Sequence, residues 1–200
     1  IAILNNKLTS LATATFLGGY LGDTIWGLKV LGSSVYVAGQ TYSGDFPATA
    51  GAYDTIHNGD ADAFVSKLDT GLTTLQGSTF LGAGSADWAL DLWADSTYGI
   101  FVTGLTTSSG FPTVAGCYRT TLGGGFLSRL DTTLAALTKS TFLGGSNGGS
   151  GFGVVYDPTA TVAYVTGQTF SSDYPTTTGA YDRTYQGPQE VFVTKFDKDL

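Results

Sequence analysis

Four short words recur in one order along this chain, and they constrain its fold more than any single motif. Thr-Phe-Leu-Gly stands at 15–18, 79–82 and 141–144, which places Phe16, Phe80 and Phe142 64 and 62 residues apart. A second word carries an aromatic-proline pair and an Ala/Cys-Tyr pair: Phe46-Pro47 with Tyr53, Phe111-Pro112 with Tyr118, and Tyr174-Pro175 with Tyr181. Its prolines are spaced by 65 and 63 residues. "VYVAGQT" (35–41), "IFVTGLT" (100–106) and "AYVTGQT" (163–169) form the third word. "FVSKLD" (64–69), "FLSRLD" (126–131) and "FVTKFD" (192–197) form the fourth. Self-similarity at a fixed period is the signature of a repeat architecture, in which each unit buries its faces against its neighbours.

Each unit reads as four strands. The first follows the Phe-Leu-Gly word and holds Trp26-Gly27, Trp88-Ala89 or Phe152-Gly153, an aromatic residue and then a small one. The third and fourth words supply strands two and three, rich in β-branched and aromatic residues. Strand four ends in the Thr-Phe-Leu-Gly word. Turn residues separate them, as in "LGSS" (31–34), "ADSTYG" (94–99) and "DPTAT" (157–161). No segment carries a helical apolar period. Strand two is apolar at successive positions, so both of its faces are expected to be covered. The prediction is an all-β chain of β-propeller blades, each of four antiparallel strands, with about three repeats. A β-solenoid is the other repeating all-β fold, but its coils are shorter.

Ile1-Ala2-Ile3-Leu4-Asn5 aligns with Val65–Asp69, so the chain opens inside a third strand. The expected division is therefore the last strands of a preceding blade (1–19), a blade (20–83), a second blade (84–145), and a blade without its last strand (146–200). Three blades should not close a ring. The array is expected to be incomplete, as part of a longer chain, or to be completed by other copies of itself.

Taken together, "STFLGG", "YVTGQT", "SDYP", "GAYD" and "FVTKFD", all within residues 140–197, resemble the SBBP repeat family. The resemblance extends over nearly the whole chain. It departs where Gly110 replaces Asp45 and Asp173, and where Arg119 replaces Asp54 and Asp182. It implies a seven-bladed propeller-type repeat in a secreted or cell-surface protein. It implies no activity and supplies no catalytic residues.

The residues themselves offer little catalytic chemistry. The net charge is −7 with nine Lys+Arg, too few cations to cluster on a polyanion, which argues against nucleic acid. No apolar run approaches a membrane span. The one cysteine, Cys117, occupies the slot of Ala52 and Ala180 and reads as a small buried residue. The one histidine, His57, reads as a solvated loop residue without zinc partners. Asp60 and Asp62 lie two apart beside Asn58 and Gly59, an oxygen pattern resembling part of a calcium loop. The plainer reading there is a solvated polar turn; calcium is the only cofactor the sequence suggests. No pair of carboxylates is placed for glycoside hydrolysis.

Blade geometry puts the strand 4→1 and 2→3 connections on one face. Asp23, Asp87 and Asn147 in the 4→1 loops are the candidate partner contacts there, against the plainer reading of solvated turns. The expected repeat anchors are Phe16, Phe80, Phe142, Trp26, Trp88, Phe152, Phe46, Pro47, Phe111, Pro112, Tyr174, Pro175, Tyr53, Tyr118 and Tyr181. The function expected from all this is a non-enzymatic structural or adhesive module acting through protein contacts. A carbohydrate-binding propeller using Tyr20, Tyr42, Trp93 or Tyr98 is the alternative, ahead of a hydrolase.

Overall fold

A computed structural model describes all 200 residues. The chain is all-β, in four antiparallel sheets. The first pairs β1 (Ala2–Leu4) with β2 (Leu11–Ala14). The second runs in sequence order through β3 (Asp23–Leu31), β4 (Ser34–Thr41), β5 (Asp62–Asp69) and β6 (Leu75–Leu81). The third repeats that order with β7 (Asp87–Asp95), β8 (Gly99–Thr106), β9 (Gly125–Leu130) and β10 (Leu137–Leu143). The fourth holds β11 (Gly149–Asp157), β12 (Val162–Thr169) and β13 (Glu190–Asp197). The sheets form no closed ring within the chain. No helix is long and apolar enough to cross a membrane.

Consecutive sheets pack face on face, with β3 against β7 and β7 against β11. Side chains alternate across a strand, so one apolar strand serves two cores. On β4, Val35 and Val37 join Phe46, Phe64 and Phe80 in the core against Ile1, Ile3 and Leu17. Tyr36 and Ala38 enter the next core, with Leu92, Ile100, Val102 and Phe126. Phe101 and Leu127 face the other way, onto Val154, Tyr156 and Val165. The two-sided apolarity of strand two is thus a consequence of its place between two sheets.

The first strand of each of the three repeats carries a bulge, and this corrects one alignment. The register shifts between Ile25 and Gly27, between Ala89 and Asp91, and between Gly151 and Gly153. The residues bulged out are Trp26, Leu90 and Phe152. Trp88 therefore corresponds to Thr24 and Ser150, two positions before Trp26 and Phe152. A two-residue slip preserves strand alternation, so the sequence pattern alone could not detect it. Opposite each bulge stands a glycine. A Cβ on Gly39 would lie 1.8 Å from Thr24 O, on Gly104 1.8 Å from Trp88 O, and on Gly167 1.9 Å from Ser150 O. The recurrent glycine of strand two exists because the carbonyl two residues before the bulge occupies the space a Cβ would take.

The turn from strand three to strand four has its own device. Leu8, Leu72, Leu134 and Leu200 all have φ between 56° and 63°. This is a left-handed conformation unusual for a residue with a Cβ. Leu72, Leu134 and Leu200 are buried there, plugging the sheet interfaces. The preceding acid holds the turn: Asp69 Oδ1 accepts the Thr73 and Thr74 N–H groups at 2.8 and 2.6 Å, and Asp131 Oδ1 those of Ala135 and Ala136 at 2.8 and 2.9 Å. Those backbone donors hold the Asp69 carboxyl below its ordinary value; the Asp131 carboxyl is lowered too, by the Thr133 hydroxyl and the same kind of donors against the opposing effect of burial.

Candidate functional site

The 4→1 and 2→3 connections meet, as the blade geometry predicts. The hydroxyls of Ser43, Ser108 and Ser171 accept the N–H groups of Leu21, Ser85 and Asn147 at 2.8, 3.0 and 2.8 Å. Asp45 and Asp173 add a second clamp, accepting from Tyr20 and Ser146 at 2.9 Å each. Gly110 removes that clamp from the middle repeat.

A further set of acids stands at strand starts, each binding the amide four residues earlier. Asp23 accepts from Gly19 at 2.8 Å, Asp62 from Asn58 at 2.7 Å, Asp87 from Ala83 at 2.8 Å, and Glu190 from Gln186 at 3.1 Å. Asp23 also accepts from the Thr41 hydroxyl at 2.5 Å. Asp23 is half-buried and Asp87 fully buried, and both tie loops within the chain. Asn147 alone of the three candidates is exposed.

The structure brings together two acids that the sequence kept apart. Asp62 and Asp87 are both fully buried and straddle Gly82, whose Cβ would lie 2.9 Å from Asp62 Oδ1 and 2.9 Å from Asp87 Oδ2. Asp87 Oδ2 is filled by the Ala83 amide and the Ser108 hydroxyl, the latter at 2.8 Å. Neither Asp62 Oδ1 nor Asp87 Oδ1 makes a well-formed hydrogen bond, although Thr106 lies beside Asp87. Burial pushes both carboxyls up, and the Asp62 charge adds to the rise at Asp87. A sugar cannot reach the pair. Asp60 is exposed, so the predicted Asp60–Asp62 pair is split between solvent and interior. No three His, Cys, Asp or Glu side chains converge.

The raised carboxyl of Asp87 has a pH consequence. A group whose folded pKa lies above the unfolded value of about 3.9 favours the fold below that value. That contribution is lost as pH rises through the folded pKa, because the carboxylate must then be buried charged. The melting temperature of Asp87→Asn relative to the parent is therefore expected to climb as pH rises above about 4. Thermal denaturation across that range checks it; a difference independent of pH would contradict the burial of a charged pair.

Other predicted residues fall in several classes. Phe46, Phe80, Phe111 and Phe142 are buried anchors. Pro47, Pro112, Trp88 and Tyr174 are half-buried, while Pro175 is exposed. Phe16, Trp26, Phe152, Tyr53, Tyr118 and Tyr181 are exposed, although Tyr118 stands edge-on to Phe196 at 5.7 Å and the Tyr53 N–H donates to Leu134 O at 2.8 Å; the bulge turns Trp26 and Phe152 outward, and no sheet lies over Phe16 or Tyr181. His57 is half-buried rather than solvated: its ring sits edge-on to Phe80 at 5.8 Å, with Nε2 3.3 Å from the Thr41 carbonyl. Cys117 is half-buried, its thiol 3.4 Å from the Arg119 carbonyl. Among the aromatics considered for glycans, Trp93 is capped by Lys29 at 3.6 Å and Tyr98 packs on Tyr156 at 4.8 Å. Tyr20 and Tyr42 remain exposed.

No protein-family model matches the chain, and no curated protein is significantly similar to it.

Proposed function

We propose that this chain is a β-propeller-type repeat module, secreted or at a cell surface, that acts through protein contacts and not through catalysis. One observation carries the reading. Val191 and Val193 of the last sheet are 82% and 74% exposed, and Tyr164 beside them is also exposed. Their counterparts Ala63, Val65 and Tyr36 are buried beneath the following sheet. An apolar sheet face of this kind marks an interaction surface. The acidic charge and the SBBP-like words agree with a surface repeat. The face calls for a protein cover with its own β-branched or aromatic side chains, since that is what covers its counterparts.

The test is Val191→Lys with Val193→Lys, compared with the parent by sedimentation velocity. The parent is expected to associate as concentration rises, and the double variant to stay near 20.7 kDa. A parent that remains monomeric at every concentration would count against the contact reading. Exposed Tyr20 and Tyr42 on the loop face support carbohydrate binding as a second reading. Glycan-array binding that disappears in Tyr20→Ala and Tyr42→Ala would favour it.

A further inference from the structure

Two of the chain's four asparagines, Asn58 and Asn147, precede a glycine. In such a pair no Cβ obstructs the approach of the glycine nitrogen to the asparagine carboxamide. The nitrogen can attack Cγ, close a five-membered succinimide and expel ammonia, which makes the asparagine chemically labile. The two sites share a dipeptide and have opposite surroundings.

Asn58 is held at its reacting atoms. Its amide nitrogen donates to Asp54 Oδ2 and to Ile56 O, both at 2.9 Å. Its own N–H donates to Asp62 Oδ2 at 2.7 Å, and the Gly59 N–H faces the same carboxyl group. That hydrogen bond opposes the loss of the Gly59 proton, without which the nitrogen is no nucleophile. Gly59 is also packed too closely to swing. A Cβ there would lie 2.1 Å from Ser85 O and 2.4 Å from Ala83 O.

Asn147 is exposed, and its side-chain amide has no hydrogen-bond partner. Neither Asn147 O nor Gly148 N–H has one, so the peptide unit joining the two residues is free to rotate. A Cβ on Gly148 would meet nothing within 4 Å. The flanking groups are tied to one hydroxyl: Asn147 N–H donates to Ser171 Oγ at 2.8 Å, and the Ser171 O–H donates to Gly148 O at 3.1 Å. We infer that Asn147-Gly148 is a site of spontaneous modification, where Asn147 becomes aspartate and iso-aspartate, and that iso-aspartate releases the clamp between the 4→1 and 2→3 connections of the third repeat.

The reaction consumes water and needs no other reagent. A solvent base takes the Gly148 amide proton, and the nitrogen bonds to Asn147 Cγ. The Cγ–Nδ2 bond breaks, and Nδ2 leaves as ammonia with a proton from solvent. Water then opens the ring. Cleavage of the new Cγ–N bond gives aspartate. Cleavage of the original backbone C–N bond gives iso-aspartate, whose main chain runs through Cγ and is one methylene longer. A single Ser171 hydroxyl spans Asn147 N–H and Gly148 O, so the longer chain cannot keep both bonds. Either product also adds a carboxylate next to Ser146, whose N–H and O–H already donate to Asp173 Oδ1 at 2.9 and 3.1 Å. The loop face thus gains negative charge and loses a tether without an enzyme.

The test ages the folded protein in mildly alkaline buffer and follows it by peptide mapping with mass spectrometry. The mass gain from amide to carboxyl is expected at least about tenfold faster at Asn147 than at Asn58, because Asn58 must first lose its hydrogen bonds. In the urea-unfolded chain the two rates should converge. Ser171→Ala unties both flanking groups and should speed conversion of Asn147 about fivefold, with circular dichroism checking that the variant is folded. Asn147→Gln should remain unconverted. No conversion at Asn147, or equal rates at the two sites in the folded protein, would overturn the assignment. A difference that persists in urea would do the same, since its cause would then lie in the neighbouring sequence and not in the fold. Hydrogen exchange reads the clamp. In the chromatographically separated iso-aspartate form, the Phe170 amide, which donates to Gly148 O at 3.3 Å, should exchange faster than in fresh protein. Unchanged exchange there would refute the release of the clamp.

Discussion

Gly104→Ala is expected to destabilise the fold by about 3 kcal/mol, a fall in melting temperature of roughly 6–12 °C for a chain of this length. The new Cβ would lie 1.8 Å from Trp88 O, 2.9 Å from Trp88 C and 3.0 Å from a Phe126 ring carbon. The first two atoms belong to the backbone of β7, which cannot yield without parting from β8. The third belongs to a fully buried ring. The sheet concerned is covered on both faces, so the strain has no outlet toward solvent. The glycine's φ is not in the left-handed region, so the cost is steric and not conformational. Gly110→Ala is the control, because its Cβ would meet only Ala83 Cβ, at 3.7 Å. It should fall within about 0.5 kcal/mol of the parent. Urea denaturation followed by circular dichroism measures both. Equal midpoints for the two variants would show that the Trp88 carbonyl does not dictate the glycine.

Phe46→Ala is expected to cost more, about 4 kcal/mol, by emptying the centre of a buried aromatic cluster. The ring lies 4.3 Å from Phe64 and 6.1 Å from Phe80, within the core shared with Val35 and Val37. It also seats the long 2→3 connection, whose backbone then reaches Ser78 and Phe80 through Thr49 and Asp54. Removing it should therefore loosen the loop and the fourth strand together. Tyr181→Ala alters the same recurrent word at a residue 106% exposed and should change stability by no more than about 0.5 kcal/mol. The comparison is informative because the two words are nearly identical in sequence. Phe46→Ala with parental stability would mean that the loop word does not anchor its sheet.

The four-strand order and its repetition along the chain were legible because strand composition and turn residues recur at near-constant spacing. The two-sided burial of strand two was legible from unbroken apolar runs such as Ile100-Phe101-Val102. The bulge was not. An extra residue in one strand leaves the alternation intact on either side, and so Trp88 was aligned with Trp26 on chemistry instead of register. The Asp62–Asp87 pair was hidden for a different reason. Its members begin strands of two different sheets and meet only when those sheets dock, as the Ala61–Ala86 bridge beside them shows. The left-handed leucines had a readable sign, the recurring Asp-x-x-Leu at 69–72, 131–134 and 197–200, but nothing in leucine itself suggests a positive φ.

The word Thr-Phe-Leu-Gly marks the division between the two sources of information. By itself the sequence determined that each copy ends a strand and brings an aromatic ring to the same place in its unit. Local propensity and alternation are properties of the segment, and the segment is repeated. The fate of that ring was decided by what lies beside it. Phe80 and Phe142 are 1% and 0% exposed because a complete sheet and its neighbour enclose them, whereas Phe16 is 103% exposed beside β1 alone. Burial is a relation between surfaces. Three identical words can therefore carry two buried anchors and one free ring.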